Sequence, residues 1–216
     1  VNSIEAFVEA MMLDDEIAAA LSAGELSQQE PGAVGVAPPP NADGHILPQP
    51  DAYRNVSQLI TSKGYICEEH EVVTSDGYVL SIQRILTASR NNTGPVVVLN
   101  HGLLDSSATW VINHADNSLG FMLADEGFDV WLPNNRGNRY SHYNIHHRSG
   151  SRAFWDFSWD QMASIDLPTY INYITMYTNS SQVYYTGHSE GTLIGFTEFS
   201  KNAELGSKIK RFFALA

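Results

Sequence analysis

At 216 residues, with 43% hydrophobic and 17% charged residues, the chain has the length and apolar content to build a core, which excludes wholesale disorder. Its 24 Asp and Glu exceed its 12 Lys and Arg for a formal charge of −12, with no basic stripe of the kind phosphate recognition needs, which argues against a nucleic-acid partner. The longest uninterrupted apolar runs, Ile17–Leu21 and Phe212–Ala216, are five residues each, against the ~20 of a transmembrane helix.

The charge divides the chain in two. Residues 1–50 hold eight acids and no Lys or Arg, hence −8, which leaves −4 for residues 51–216. Ile4, Phe7, Val8 and Met11 recur at helical spacing, Asn2 and Glu5 form a capping pair, and Gly24 can close the end. An amphipathic helix is expected over 3–23, either a docking or propeptide helix or a weakly structured leader. Six of the nine prolines fall in 31–50, which reads as an extended linker into the body. The segment lacks an initiator Met, a basic start and a long apolar core, so it does not read as a signal peptide.

Within the body, Glu68–Thr74 and Tyr78–Leu86 flank Ser75-Asp76-Gly77, a hairpin signal. Val96–Asn100 and Asp129–Pro133 are apolar runs of the kind buried in parallel sheets. Asn117–Glu126 has helical periodicity and stops at Gly127, and Met162–Tyr177 is mainly helical with a kink or restart at Pro168. Gln182–Thr186 predicts a strand, Glu190–Lys201 a helix and Arg211–Ala216 the start of another strand. This alternation predicts an α/β fold with a mostly parallel sheet.

Gly187-His188-Ser189-Glu190-Gly191 lies between the strand and the helix. It has the pattern of a nucleophile elbow, in which a sharp turn exposes a strained serine and the glycines permit close backbone approach. Composition alone gives roughly 0.1 chance matches in a chain this long, so the strand–turn–helix context carries the assignment. Acyl transfer also needs preorganised N–H donors for the oxyanion. The candidates are the backbone N–H of Glu190, after the nucleophile, and that of Leu103, in His101-Gly102-Leu103-Leu104 behind the Val96–Asn100 strand.

The chain resembles the acid lipases, the family of gastric and lysosomal acid lipase. The matching segments are 55–60, Gly64-Tyr65, EEHEVVTSDGYVL from Glu68, VLNHGLLDSSATW from Val98, NSLGFMLADEGFDVWLPNNRGN from Asn117, Phe154 to Pro168, and Gly187 to Phe196. The resemblance covers about 51–216. It implies an α/β-hydrolase fold with Ser189 as nucleophile and Leu103 and Glu190 as oxyanion donors. The implied substrates are neutral-lipid esters, acylglycerols or cholesteryl esters, met at a lipid–water interface, with a secreted or lysosomal location. The family commonly has Gln where this chain has Glu190, and a carboxylate there would oppose a developing oxyanion when ionised.

A serine nucleophile needs a base and an acid, which in elbow hydrolases follow it in the chain. Beyond Glu190 there remain Glu198 and Glu204 but no Asp and no His, and all eight histidines lie upstream of Ser189. The expectation is therefore an N-terminal portion of a larger hydrolase, truncated before the strands that carry the triad acid and base and inactive on its own. The alternatives are a catalytically dead short form that binds lipid or a partner, and another elbow-type acyl enzyme, a thioesterase or acyltransferase. His188 is expected to pack beside the turn. His142, His146 and His147 read as a solvated loop rather than a metal site, and Asp129, Asp160 and Asp166 as caps or ion-pair partners. No residue pattern calls for a cofactor. Of the sequons at Asn55, Asn91 and Asn179, Asn55 is the glycosylation candidate, since it sits in a matched segment. Cys67 is read either as a small buried hydrophobe or as a disulfide partner. Oligomeric state has no signature here.

Overall fold

A computed structural model describes residues 50–89 and 93–216. The expected 3–23 helix, nearly all of the proline-rich linker and Asn91 lie outside the described residues.

Helix α1 (Val56–Ser62) opens the body, capped by Asn55, whose side chain accepts from the Gln58 N–H while Gln58 returns a bond to the Asn55 N–H. Strands β1 (Ile66–Val73) and β2 (Tyr78–Leu86) form the expected hairpin, and Gly77 takes the positive φ (+90°) its turn requires. Strand β3 (Val96–Asn100), helix α2 (Leu119–Asp125) and strand β4 (Asp129–Pro133) follow. A two-residue strand β5 (Tyr143–Asn144), which has too few positions to show a period, pairs with β2. Helix α3 (Leu167–Thr178), strand β6 (Val183–His188), helices α4 (Glu190–Lys201) and α5 (Ala203–Ser207), and strand β7 (Ile209–Leu215) complete the order.

The kink anticipated at Pro168 is a π turn, Met162–Asp166, between the short helix Trp159–Gln161 and α3. A proline in a regular helix clashes with the carbonyl four residues back, and a widened turn relieves that contact.

The described residues form a seven-stranded sheet in the order β1-β2-β4-β3-β6-β7. β2 runs antiparallel to β1 and β4, while β4, β3, β6 and β7 are parallel. Alternate side chains of the buried strands divide the core in two. Val97, Leu99, Val130, Leu132 and Tyr184 pack against α1 and α2. Val96, Val98, Trp131, Val183 and Tyr185 pack against α3 and α4. Each aliphatic side chain buried this way contributes about 1.5–3 kcal/mol. The architecture is the expected α/β fold. The register sets Asn100 opposite Gly187, so the C-terminal ends of β3 and β6 lie side by side. The chain leaves β3 for β4 on one side and returns to β6 on the other. Such a reversal of strand order opens a crevice at the carboxyl ends of the strands.

Candidate active site

Two loops meet in that crevice. The first is the turn from β6 into α4, where Ser189 has φ 50° and ψ −112°, a conformation rare for a residue with a Cβ. The surrounding backbone fixes it there. The Ser189 N–H donates to the Leu215 carbonyl at 2.7 Å, and the Ser189 carbonyl accepts from Thr192 and Leu193 N–H at 2.9 and 3.2 Å. The Thr192 hydroxyl donates to the Gly187 carbonyl at 2.7 Å. A Cβ on Gly187 would lie 2.6 Å from the Gly191 backbone, and one on Gly191 would lie 2.7 Å from the Asn100 carbonyl oxygen. Both positions admit glycine alone without a shift of the neighbouring backbone. Ser189 itself is exposed.

The second loop is His101–Asp105. A Cβ built on Gly102 would stand 3.3 Å from the Ser189 Cβ and 3.1 Å from His188 Nδ1, so the loop after β3 abuts the turn. His101 is buried; its Nδ1 lies 2.8 Å from the Gly102 carbonyl oxygen, and its Nε2 lies 3.2 Å from both the Asn135 N–H and the Asn138 amide nitrogen. A backbone N–H can only donate, so Nε2 is an acceptor and the proton sits on Nδ1. Burial also lowers the His101 pKa, favouring the neutral ring. Beyond it, Leu103 is 65% exposed and Leu104, at φ 58°, is 99% exposed.

The loop after β4 is held from beneath. The Arg136 guanidinium bonds buried Asp166 at 2.7 and 2.9 Å and Asp76 at 2.5 Å, and stacks 4.2 Å over the Tyr78 ring. The Arg136 N–H also donates to Asp166 at 3.0 Å. Burial pushes the Asp166 carboxyl up to about 6 against the pull of that guanidinium. These contacts hold Asn135 and Asn138 in place against His101. The network escaped sequence reading, although the run Asn134-Asn135-Arg136-Gly137-Asn138 carried its signal.

A cavity of about 640 Å³ opens at Gly102 and Glu190, the residues that flank Ser189; its wall also includes Leu103, Leu104, Ile112 and Trp155. Glu190 is half-buried, and burial raises its carboxyl above the ordinary value. It stands at the first position of α4, where a backbone N–H has no acceptor one turn back. Apolar side chains (Leu103, Leu104, Ile112, Trp155, Phe157 and Met162) share the lining with polar ones such as His101, Asn135 and Arg139, a mixture typical of a small-molecule site.

The remaining sequence candidates fall elsewhere. His188 packs edge-on to Trp110, with ring centroids 6.5 Å apart. Among the described residues no histidine nitrogen is hydrogen-bonded to the Ser189 hydroxyl. His142 packs on Phe154 and Trp155, His146 over Gly77, and no group of three His, Cys, Asp or Glu is arranged to hold a metal ion among the described residues. Asp129 pairs with Arg84 at 2.7 Å, and Asp160 sits in the first turn behind the Ser158 cap. Asn55 is exposed at its cap, and half-buried Cys67 is a free thiol pushed up to about 11 by burial.

Comparison with known proteins finds the chain's relatives among the lipases. A family model described as a partial alpha/beta-hydrolase lipase region matches residues 56–114, and one described as the alpha/beta hydrolase fold matches 95–216. Gastric triacylglycerol lipase of Rattus norvegicus is 52% identical over 171 residues, 77% of this chain and 43% of that protein. Lysosomal acid lipase/cholesteryl ester hydrolase of Homo sapiens is 49% identical over 170 residues, with the same coverage of each. The chain thus spans less than half the length of these relatives. The crystal structure of a membrane phospholipase A, a bacterial virulence factor, superposes with a TM-score of 0.50 at 13% identity, covering 72% of this chain and 41% of that one, a likeness of fold alone.

Proposed function

The chain belongs to the alpha/beta hydrolase fold family, and from that premise we propose that it is the nucleophile-bearing part of a serine lipase acting on neutral-lipid esters. The observation that carries the reading is the strained, exposed Ser189 between Gly102 and Glu190. In this reading Ser189 Oγ attacks the ester carbonyl carbon, and the carbonyl oxygen takes up the negative charge facing the Leu103 and Glu190 N–H groups. Collapse expels the alcohol, which leaves with a proton, and water then hydrolyses the acyl-serine. Proton transfer is assigned to the whole protein, because no described histidine engages Ser189 and the chain spans 43% of the gastric relative's length. The relatives' names support acylglycerol or cholesteryl esters as substrates and a gastric-type secreted or lysosomal location. Among the described residues no helix is long and apolar enough to cross a membrane. Asn55, exposed with its amide nitrogen outside the capping bonds, is proposed as a glycan acceptor.

The test is turnover of trioctanoin and cholesteryl oleate by the whole protein. Saturable release of fatty acid that disappears in Ser189→Ala supports the reading. Turnover that persists in Ser189→Ala overturns it, as does cleavage of acyl-CoA thioesters alone.

A further inference from the structure

From Val130 to Trp155 the chain has no Asp or Glu, although it holds 24 in all, and it carries Arg136, Arg139, Arg148 and Arg152, a third of its Lys and Arg. Arg136 is buried in its ion pairs with Asp76 and Asp166. Arg139, Arg148 and Arg152 are exposed, and none of them is in an ion pair among the described residues. Tyr143 and Ile145 stand between Arg139 and Arg148, and Trp155 follows Arg152; the three are 62%, 53% and 48% exposed. The surface is braced from within. β5 pairs with β2, the Asn144 side chain accepts from His146 and His147 N–H at 2.8 and 3.1 Å, and the Trp155 indole donates to the Ser149 carbonyl at 2.8 Å. It is also continuous with the cavity, since Arg139 and Trp155 line the cavity wall with Leu103 and Leu104.

We propose that this arginine-bearing face docks the protein on an anionic lipid–water interface, with the cavity mouth turned toward the lipid. The proposal rests on the reading of the site as a lipid-ester hydrolase and specifies how that site meets its substrate phase. Guanidinium groups reach the anionic headgroups while the aromatic and aliphatic side chains between them enter the headgroup boundary. Such a local attraction works in spite of the net charge of −12, because at physiological salt fields decay over about 8 Å.

The experiment is co-flotation of the protein with vesicles of ether-linked phosphatidylcholine, with or without ether-linked phosphatidylglycerol. These lipids offer no carboxylic ester to hydrolyse, so binding is read independently of catalysis. The expected result is partitioning onto the phosphatidylglycerol vesicles at least about ten-fold above the neutral ones, weakening as salt is raised. Arg148→Glu/Arg152→Glu should remove most of it, with far-UV circular dichroism unchanged since both side chains are exposed, and Arg148→Gln/Arg152→Gln should fall between. Ser189→Ala should bind as the parent does. Equal binding to both vesicle types overturns the proposal, as does full binding by the charge-reversed variant. Capture of polyglutamate without vesicle binding would make the face a docking site for acidic protein and overturn it equally. Failure of the parent protein to bind phosphatidylglycerol vesicles while its ester turnover is intact refutes only this proposal. Vesicle binding without ester turnover refutes the hydrolase reading instead.

Discussion

The ring of His101 grips the backbone of the next residue, Nδ1 lying 2.8 Å from the Gly102 carbonyl oxygen. The peptide that carries that carbonyl also carries the Leu103 N–H. No peptide bond among the described residues is cis, and in a planar trans peptide the C=O and N–H point in opposite directions. By holding one end of the group, His101 sets the direction of the other. The Asn135 N–H and the Asn138 amide on Nε2 keep the ring in the tautomer this requires.

Replacing His101 with Leu should therefore lower kcat of the whole protein about 10–100-fold, with KM moved far less, since a misaimed oxyanion donor is felt in the transition state. The pH dependence of stability has a defined sign. Burial places the folded-state pKa of His101 below 6.5, so as pH falls past that value the unfolded chain takes up the proton first and stability declines. The His101→Leu variant should lose less urea resistance than the parent between pH 7 and 5.5. A parallel decline in both proteins would contradict this.

Ser189 holds a left-handed backbone conformation that glycine adopts at little cost. Ser189→Gly is expected to raise the free energy of unfolding by about 1 kcal/mol while abolishing turnover. Urea denaturation of the two proteins checks the first part. A destabilised, inactive variant would mean that the turn is not strained.

Glu190 has its carboxyl pushed up by burial beside the site. As pH rises through its folded-state pKa the group ionises and opposes the oxyanion, so activity should fall from this cause. Glu190→Gln should gain about three- to ten-fold in kcat/KM at pH 7 and little at pH 4. It should also gain stability above about pH 4.5, where the unfolded chain ionises this group more readily. Superimposable pH–rate profiles would remove Glu190 from the account.

Arg136 compensates a fully buried carboxylate, Asp166. Arg136→Met should lower stability by about 3–5 kcal/mol, because Asp166 loses its partner, and Arg136→Met/Asp166→Leu should recover part of that. Thermal unfolding of the three variants measures the recovery. A double variant weaker than the single would contradict it.

Elements fixed by local pattern were legible in the sequence. The apolar runs at Val96–Asn100 and Asp129–Pro133 give the two strands to the residue, and Glu190–Lys201 the helix, because buried parallel strands and a helix that follows a glycine-flanked turn announce themselves in short windows. The pattern Gly187-His188-Ser189-Glu190-Gly191 is short enough to read in the sequence, although the backbone that crowds Gly191, at Asn100, is 91 positions away. What stayed hidden depends on residues far apart in the chain. Asn135 reaches His101 across 34 positions, and Arg136 reaches Asp76 across 60. The basic face was masked by a whole-chain charge of −12, which averages over an acid-free stretch of 26 residues.

Ser189 as nucleophile is tested by peptide mapping of the whole protein after reaction with a long-chain alkyl p-nitrophenyl phosphonate, a covalent mimic of the tetrahedral intermediate. One equivalent of p-nitrophenolate should be released, one phosphonyl adduct should be located on Ser189, and ester turnover should be lost in proportion. An adduct on another residue, or turnover that survives complete modification of Ser189, would contradict it.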